Sequence, residues 1–374
     1  MSRLHLFFPE NDLALARDLE RYTPPPAAAR LRRSGEALPL WYGDDGDRFV
    51  ATGINSRWLD SMRDSFGIDI DVFDYRPDAY EAAPWGWSRA SRREYLNLGF
   101  APSALPDDSA LEAMRALSNR RTAAKIRRRL GELLPDARLM PAARECATPD
   151  EVARCVDEFG KVVVKLPWSS SGRGLMIVDA KTLPGQTSAI VGMTGRQGAV
   201  MVEPWLSRRS DFALLYRMEG GRARYCGLSL FETTDSGSYS GNILAPQEEI
   251  GSRLRAECDA ATFDALPAAL GAVLSEIIGT AYSGPLGVDM MTVCDSDNVA
   301  IAEMNLRNTM GHVALALYGR HIAPGAHGHF LVLPRENAPE APEAIVTDGR
   351  LAGGSLDLVP PGTDFVFRAE LSDT

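Results

Sequence analysis

The sequence predicts an α/β protein in which a unit of alternating strands and helices is followed by units built on antiparallel hairpins. Three observations carry this. Up to residue 110, short apolar runs alternate with helical patterns, as expected of a largely parallel sheet. Two pairs of apolar runs, KVVVKL with LMIVD and FALLYRM with RARYCGLSLF, are each joined by a short turn-rich segment. A third pair, 286–293 and 299–306, closes on Asp295, Ser296, Asp297 and Asn298.

Composition limits the function classes. The 374 residues are 45% hydrophobic and 24% charged, enough for two or three packed units of a globular protein. No run approaches the roughly 20 apolar residues of a membrane span, and the charged start MSRLHLFFPENDLALARD does not read as a signal peptide. A soluble, cytoplasmic protein is expected. Cys146, Cys155, Cys226, Cys258 and Cys294 are scattered without C-x-x-C spacing, which gives neither a disulfide framework nor a zinc site. With 40 basic and 50 acidic residues the net charge is −10, which argues against nucleic acid as the main partner. The basic cluster of Arg120, Arg121, Lys125, Arg127, Arg128 and Arg129 reads mostly as a solvated helix face.

In chain order, residues 3–8 read as a strand, followed by an amphipathic helix that Asn11 and Asp12 would cap and Pro24, Pro25 and Pro26 would break. Residues 38–42 and 69–73 read as further strands, with helical material over 55–66 between them. Pro84, Trp85, Gly86, Trp87 and Ser88 form an aromatic turn. A helical pattern then runs from Leu111 to about Leu134 with a break at Ser118 and Asn119. Thr148, Pro149 and Glu151 spell a capping box with proline at the first helical position, and Gly160 closes that helix. The polar stretch 233–242 reads as an exposed loop or a lid, and 263–282 as a helix on the period of Phe263, Leu266, Leu270, Val273 and Leu274. After Pro334 the tail is rich in Pro and Ala and then offers short strands.

The chemistry concentrates in the hairpin 284–312. If it is symmetric about Ser296, Asp289 lies directly opposite Glu303, about 5 Å away between Cβ atoms. Alternation then puts Glu303, Asn305 and Arg307 on the same face. Two carboxylates and an amide oxygen together call for a hard cation such as Mg²⁺, Mn²⁺ or Ca²⁺. The bland alternative is a sheet edge ringed by acids, with Arg307 paired to one of them. Upstream, Lys165 ends a strand that runs into Ser169, Ser170, Ser171, Gly172, Arg173 and Gly174. Small residues and hydroxyls beside a lysine suit a phosphate cradle, although a flexible surface turn has the same composition.

Lys165 with its Ser/Arg-Gly loop, a strand ending in Glu203, Pro204, Trp205 and Leu206, and Asp289 followed by Glu303-x-Asn305-x-Arg307 stand in one order. That order resembles the ATP-grasp superfamily of carboxylate-activating ligases over roughly residues 118–312. The resemblance implies an N-terminal pre-ATP-grasp α/β domain at 1–110, then an ATP-grasp fold with antiparallel sheets in two subdomains. The small subdomain with the phosphate loop would occupy 111–206, the large one with the metal site 207–335, and a tail packing on the core 336–374. It implies ATP and Mg²⁺ (or Mn²⁺) as cofactors. Lys165, with the loop from Ser169 to Gly174, and Arg120 would contact phosphates, Glu203 to Leu206 adenine and Asp211 the ribose. Asp289, Glu303 and Asn305 would be the metal ligands and Arg307, with Lys165, would steady the transferred phosphoryl group. Arg120 stands where many members have lysine. The activity implied is ATP-dependent joining of a small-molecule carboxylate to an amine, without nucleic-acid or membrane partners and compatible with a homodimer. A small-molecule kinase and a non-catalytic nucleotide-binding protein are the alternatives. Thr309 and His312 follow the metal strand without a matching motif.

Overall fold

The computed structural model describes residues 1–168, 175–234, 239–294 and 296–372. Among them the strands form four sheets. The N-terminal sheet is parallel, in the order Asp71–Val72, Arg48–Phe49, Ser2–Leu6, Tyr80–Pro84. The polarity of the order reverses between Ser2–Leu6 and Tyr80–Pro84, so loops leaving the carboxyl ends of these neighbours diverge and open a crevice.

A small antiparallel sheet follows, Arg144–Cys146, Val200–Pro204, Lys161–Lys165 and Leu175–Asp179. Its β-branched positions Val162, Val164, Val178, Val200 and Val202 are buried under the helices Pro149–Phe159 and Leu183–Gln197. The expected capping box holds: the Thr148 side chain accepts from the Glu151 N–H at 3.3 Å, and Glu151 Oε2 accepts from the Thr148 N–H at 3.1 Å.

The large sheet is antiparallel throughout and runs Val299–Asn305, Gly284–Val293, Arg208–Glu219, Arg222–Thr233, Tyr239–Leu244, Gly328–Pro334, Phe365–Leu371, Ser355–Asp357. The helix Ala260–Ile278 lies on it through Leu266, Leu270, Val273 and Leu274. By length and composition that helix would suffice to cross a membrane, but here its apolar face meets the sheet and the helix Arg120–Leu133 through Ile126 and Leu130. The far end of the sheet belongs to the N-terminal core: Phe330, Phe367, Ala369 and Leu371 pack with Leu4, Phe7, Trp41 and Trp85. First and last segments of the chain thus share one core.

Several local expectations need correction. Residues 38–42 are not a strand but contain the short helix Pro39–Tyr42, with Pro39 at the first helical position and Gly43 just past the end. The helix after the first strand is Asn11–Arg17, and it stops at Asp18 in the left-handed region, well before the prolines. Neither Asn11 nor Asp12 caps it; the N-cap is Glu10, without a side-chain hydrogen bond. The second half of the polar stretch 233–242 is sheet, Tyr239–Leu244, and residues 235–238 lie outside the described residues. Ser88, at the end of the aromatic turn, caps the helix Arg89–Asn97 with a capping box completed by Ser91.

Candidate active site

Asp289 and Glu303 are direct partners in the ladder between Gly284–Val293 and Val299–Asn305, as are Gly287 with Asn305 and Val288 with Met304. The register slips by one residue immediately after Asp289, so a bulge sits beside the acids. Bulges bend the strand and re-aim side chains, which is common next to functional sites.

Asn305 links the cluster. Its Nδ2 donates to Asp289 Oδ2 at 2.8 Å, and its Oδ1 accepts from Arg307 Nη2 at 2.9 Å. Burial first, and the nearby Glu303 second, push the Asp289 carboxyl up to about 7. Among the described residues no three of His, Cys, Asp and Glu gather into a metal-holding group. The two facing carboxylates nevertheless fit magnesium, which takes one or two protein carboxylates; the Asn305 oxygen would join them on leaving Arg307.

The opposite wall comes from the small sheet. Lys165 is the last residue of its strand, lies beside Met201 in the next, and pairs with Glu203. Arg120, the first residue of its helix, spans the gap: its N–H donates to Pro167 O at 3.0 Å and Nη1 to Leu166 O at 2.8 Å. Its Nη2 meets Glu303 Oε1 at 2.9 Å. The cleft so formed is lined by Arg120, Lys165, Met201, Glu203, Ile301 and Ala302.

No family model matches the sequence and no curated protein matches it. Solved structures do. A biotin carboxylase from Campylobacter jejuni, solved as a β,γ-ATP complex, aligns with a TM-score of 0.55 at 12% identity, over 99% of this chain and 87% of that one. A phosphoribosylamine–glycine ligase from Thermotoga maritima aligns with a TM-score of 0.52 at 14% identity, over 100% of this chain and 92% of that one. The chain has the ATP-grasp fold.

Within this fold the expected adenine segment is the end of the strand Val200–Pro204 and the turn after it. Trp205 is exposed, donates its N–H to Lys161 O at 2.9 Å, and carries the Lys161 ammonium 4.1 Å from its ring centre. Leu206 is half-buried. Asp211 accepts from Arg208 Nη1 at 2.9 Å and from Thr233 Oγ1 at 3.0 Å, and burial raises its carboxyl pKa. Ser169, Ser170, Ser171, Gly172, Arg173 and Gly174 lie outside the described residues. Trp168, just before them, is fixed by Gln197 through its N–H at 2.9 Å and its carbonyl at 3.0 Å, and Arg115 lies 4.2 Å from its ring centre. His312 is half-buried, its Nδ1 2.9 Å from Thr309 Oγ1, and desolvation lowers its pKa to about 4.

Arg307 does not take the place the bland alternative gave it: it pairs with neither Asp289 nor Glu303, and its fork is not open. Nε lies 3.0 Å and 2.9 Å from the two oxygens of Asp12, Nη2 donates to Asp12 Oδ2 at 2.6 Å, and Nη1 to Asn308 O at 3.0 Å. Burial pulls the guanidinium pKa down and the Asp12 charge more than restores it, so Arg307 stays a cation. Asp12 thus carries the N-terminal unit into the site, lining a second pocket with Leu15, Trp168, Glu303 and Asn305. Sequence reasoning treated it as a helix cap. Its position just past the carboxyl end of the first strand of a parallel sheet was the available signal.

The other side of the crevice seats the same arginine. Asn308 N–H donates to Trp85 O at 2.7 Å, and a Cβ on Gly86 would lie 2.8 Å from Arg307 Cβ and 2.5 Å from Asn11 Nδ2. Asn11 is fully buried, and neither polar atom of its side chain has a hydrogen-bond partner among the described residues. Gly86→Ala is therefore expected to push Arg307 and Asn11 aside at a cost of about 1–3 kcal/mol. Thermal unfolding checks it: an unchanged midpoint would mean the crevice is looser than described.

Proposed function

We propose that the chain is an ATP-dependent ligase that activates a small-molecule carboxylate as an acyl phosphate and joins it to an amine, releasing ADP and phosphate. The observation that carries this reading is the facing pair Asp289 and Glu303, with Asn305 joining Asp289 to Arg307 and Arg120 joining Glu303 to the cleft that Lys165 and Glu203 line. Asp289, Glu303 and Asn305 would hold magnesium, which when bound offsets charge on the nucleotide phosphates. Lys165, Arg120 and the loop Ser169 to Gly174 are assigned to the phosphates, Glu203 to Leu206 to adenine and Asp211 to the ribose.

Arg307 is assigned to the transferring phosphoryl group, where a fixed cation is worth most because it needs no reorganisation as charge develops. Its clamp on Asp12 supplies that fixity. Two neighbours of the same fold support the reading by what they are named for: one was solved with an ATP ligand, the other joins an amine to glycine. A soluble, cytoplasmic enzyme fits this reading.

Screening amino-acid and amine pairs for ADP and phosphate release tests the proposal. Release that requires both a carboxylate and an amine is the expected result. A stable phosphorylated product formed without any amine would instead make the chain a kinase, and full turnover by Glu303→Gln would remove the metal role.

A further inference from the structure

Among the described residues, three cations assigned to the nucleotide each meet a carboxylate. Lys165 pairs with Glu203, Arg120 with Glu303, and Arg307 with Asp12. None of these six side chains is more than 26% exposed, so the pairs are weakly screened. A phosphate entering the cleft meets cations that are already neutralised, and binding it means separating buried charges.

The three pairs are not equivalent. Glu303 faces Asp289 across the ladder, with Asn305 two residues on, so it has a second partner to turn to when a divalent cation binds there. Arg120 has a fixed station. Its N–H and Nη1 are tied to the carbonyls of Pro167 and Leu166, at the entry to 169–174, while Nη2 reaches across to Glu303. Its guanidinium already stands between the strand Val299–Asn305 and the end of the Lys165 strand, so releasing Glu303 frees Nη2 without moving the helix that carries it.

Building on the ligase reading, we propose that Glu303 gates Arg120. Without a divalent cation, Glu303 neutralises Arg120 and the cleft binds a bare nucleoside diphosphate weakly. A cation on Glu303 and Asp289 takes the carboxylate away from Arg120 and turns Nη2 to a phosphate oxygen. The cleft thereby selects metal-complexed nucleotide through coupling, beyond the charge the metal itself brings. The coupling is reciprocal: Arg120 competes with the cation for Glu303, so its removal strengthens binding of the cation alone.

The sign of that effect separates the gate from a plain phosphate ligand, whose loss would leave metal binding without nucleotide unchanged. The experiment is Mn²⁺ binding by electron paramagnetic resonance without nucleotide, and ADP binding by calorimetry with and without Mg²⁺. Arg127→Gln removes a charge from the same cleft without touching Glu303, since Arg127 donates to the carbonyls of Leu139 and Met140. Arg120→Gln is expected to bind Mn²⁺ about tenfold more tightly than the unaltered protein, with Arg127→Gln within about twofold of it. Glu303→Gln is expected to bind metal-free ADP about tenfold more tightly, a gain absent in the Arg120→Gln, Glu303→Gln double variant.

Equal Mn²⁺ affinity in Arg120→Gln and Arg127→Gln, or unchanged or weaker metal-free ADP binding in Glu303→Gln, overturns the gate. If Glu303→Gln does not fold, the Mn²⁺ comparison decides alone. No ADP binding by the unaltered protein even with Mg²⁺ defeats the nucleotide reading itself, whereas ADP binding with flat variants defeats only the gate.

Discussion

Replacing Arg307 with Met should lower turnover by a factor of about 10³ and, separately, destabilise the protein by about 3 kcal/mol. The kinetic part follows from losing a fixed cation at a transferring phosphoryl group. The stability part follows from the clamp: Asp12 is 18% exposed and its partner 13%, so truncation strands a buried carboxylate and also frees the oxygen of Asn305. Arg307→Lys keeps the charge but not the fork, and should fall between the two in both respects. Urea unfolding and ADP release measure the two losses independently. A loss of turnover without loss of stability would show that the Asp12 pair does not persist in solution.

The second large effect is at Asp289, where stability and function are expected to move in opposite directions. Its carboxyl is raised to about 7 in the folded chain, chiefly by burial, against about 3.9 for an unfolded aspartate. Between these values the unfolded state has already lost the proton that the folded state keeps, so stability of the metal-free protein falls as pH rises from about 4 to 7 and levels off above. Asp289→Asn removes the ionisation and should raise the unfolding midpoint at pH 8 while abolishing metal binding and turnover. In the unaltered protein a cation needs the ionised form, so Mn²⁺ affinity should drop about tenfold between pH 8 and pH 6. A flat pH profile, or an Asn variant less stable at pH 8, would contradict the buried, protonated carboxyl.

Much of this arrangement has a local signature. The alternation along 299–306 and the turn between the strands set Asp289 opposite Glu303, and the ladder agrees at Gly287, Val288 and Asp289. The slip just after Asp289 has no such mark, because a bulge changes which residues pair without changing composition. Residues 38–42 misled because an apolar, aromatic run reads as strand, while the informative residues were Pro39 and Gly43 at its ends. The Arg307–Asp12 clamp joins positions 295 residues apart, and no periodicity in one sequence reports a contact at that range. The pairing of Lys165, Arg120 and Arg307 with carboxylates is likewise a property of the packed cleft: Arg120 and Glu303 come from a helix and a strand that only tertiary packing brings together.

The most direct measurement is an isotope transfer. A carboxylate that supports ADP release is labelled with ¹⁸O in its carboxyl group, turned over with an amine, and the released phosphate is read by ³¹P nuclear magnetic resonance. Activation as an acyl phosphate predicts that one carboxyl oxygen leaves on the phosphate while the carbonyl carbon goes to the amine, so ¹⁸O appears in phosphate in step with amide. Phosphate free of ¹⁸O, released alongside amide or without it, would contradict the account.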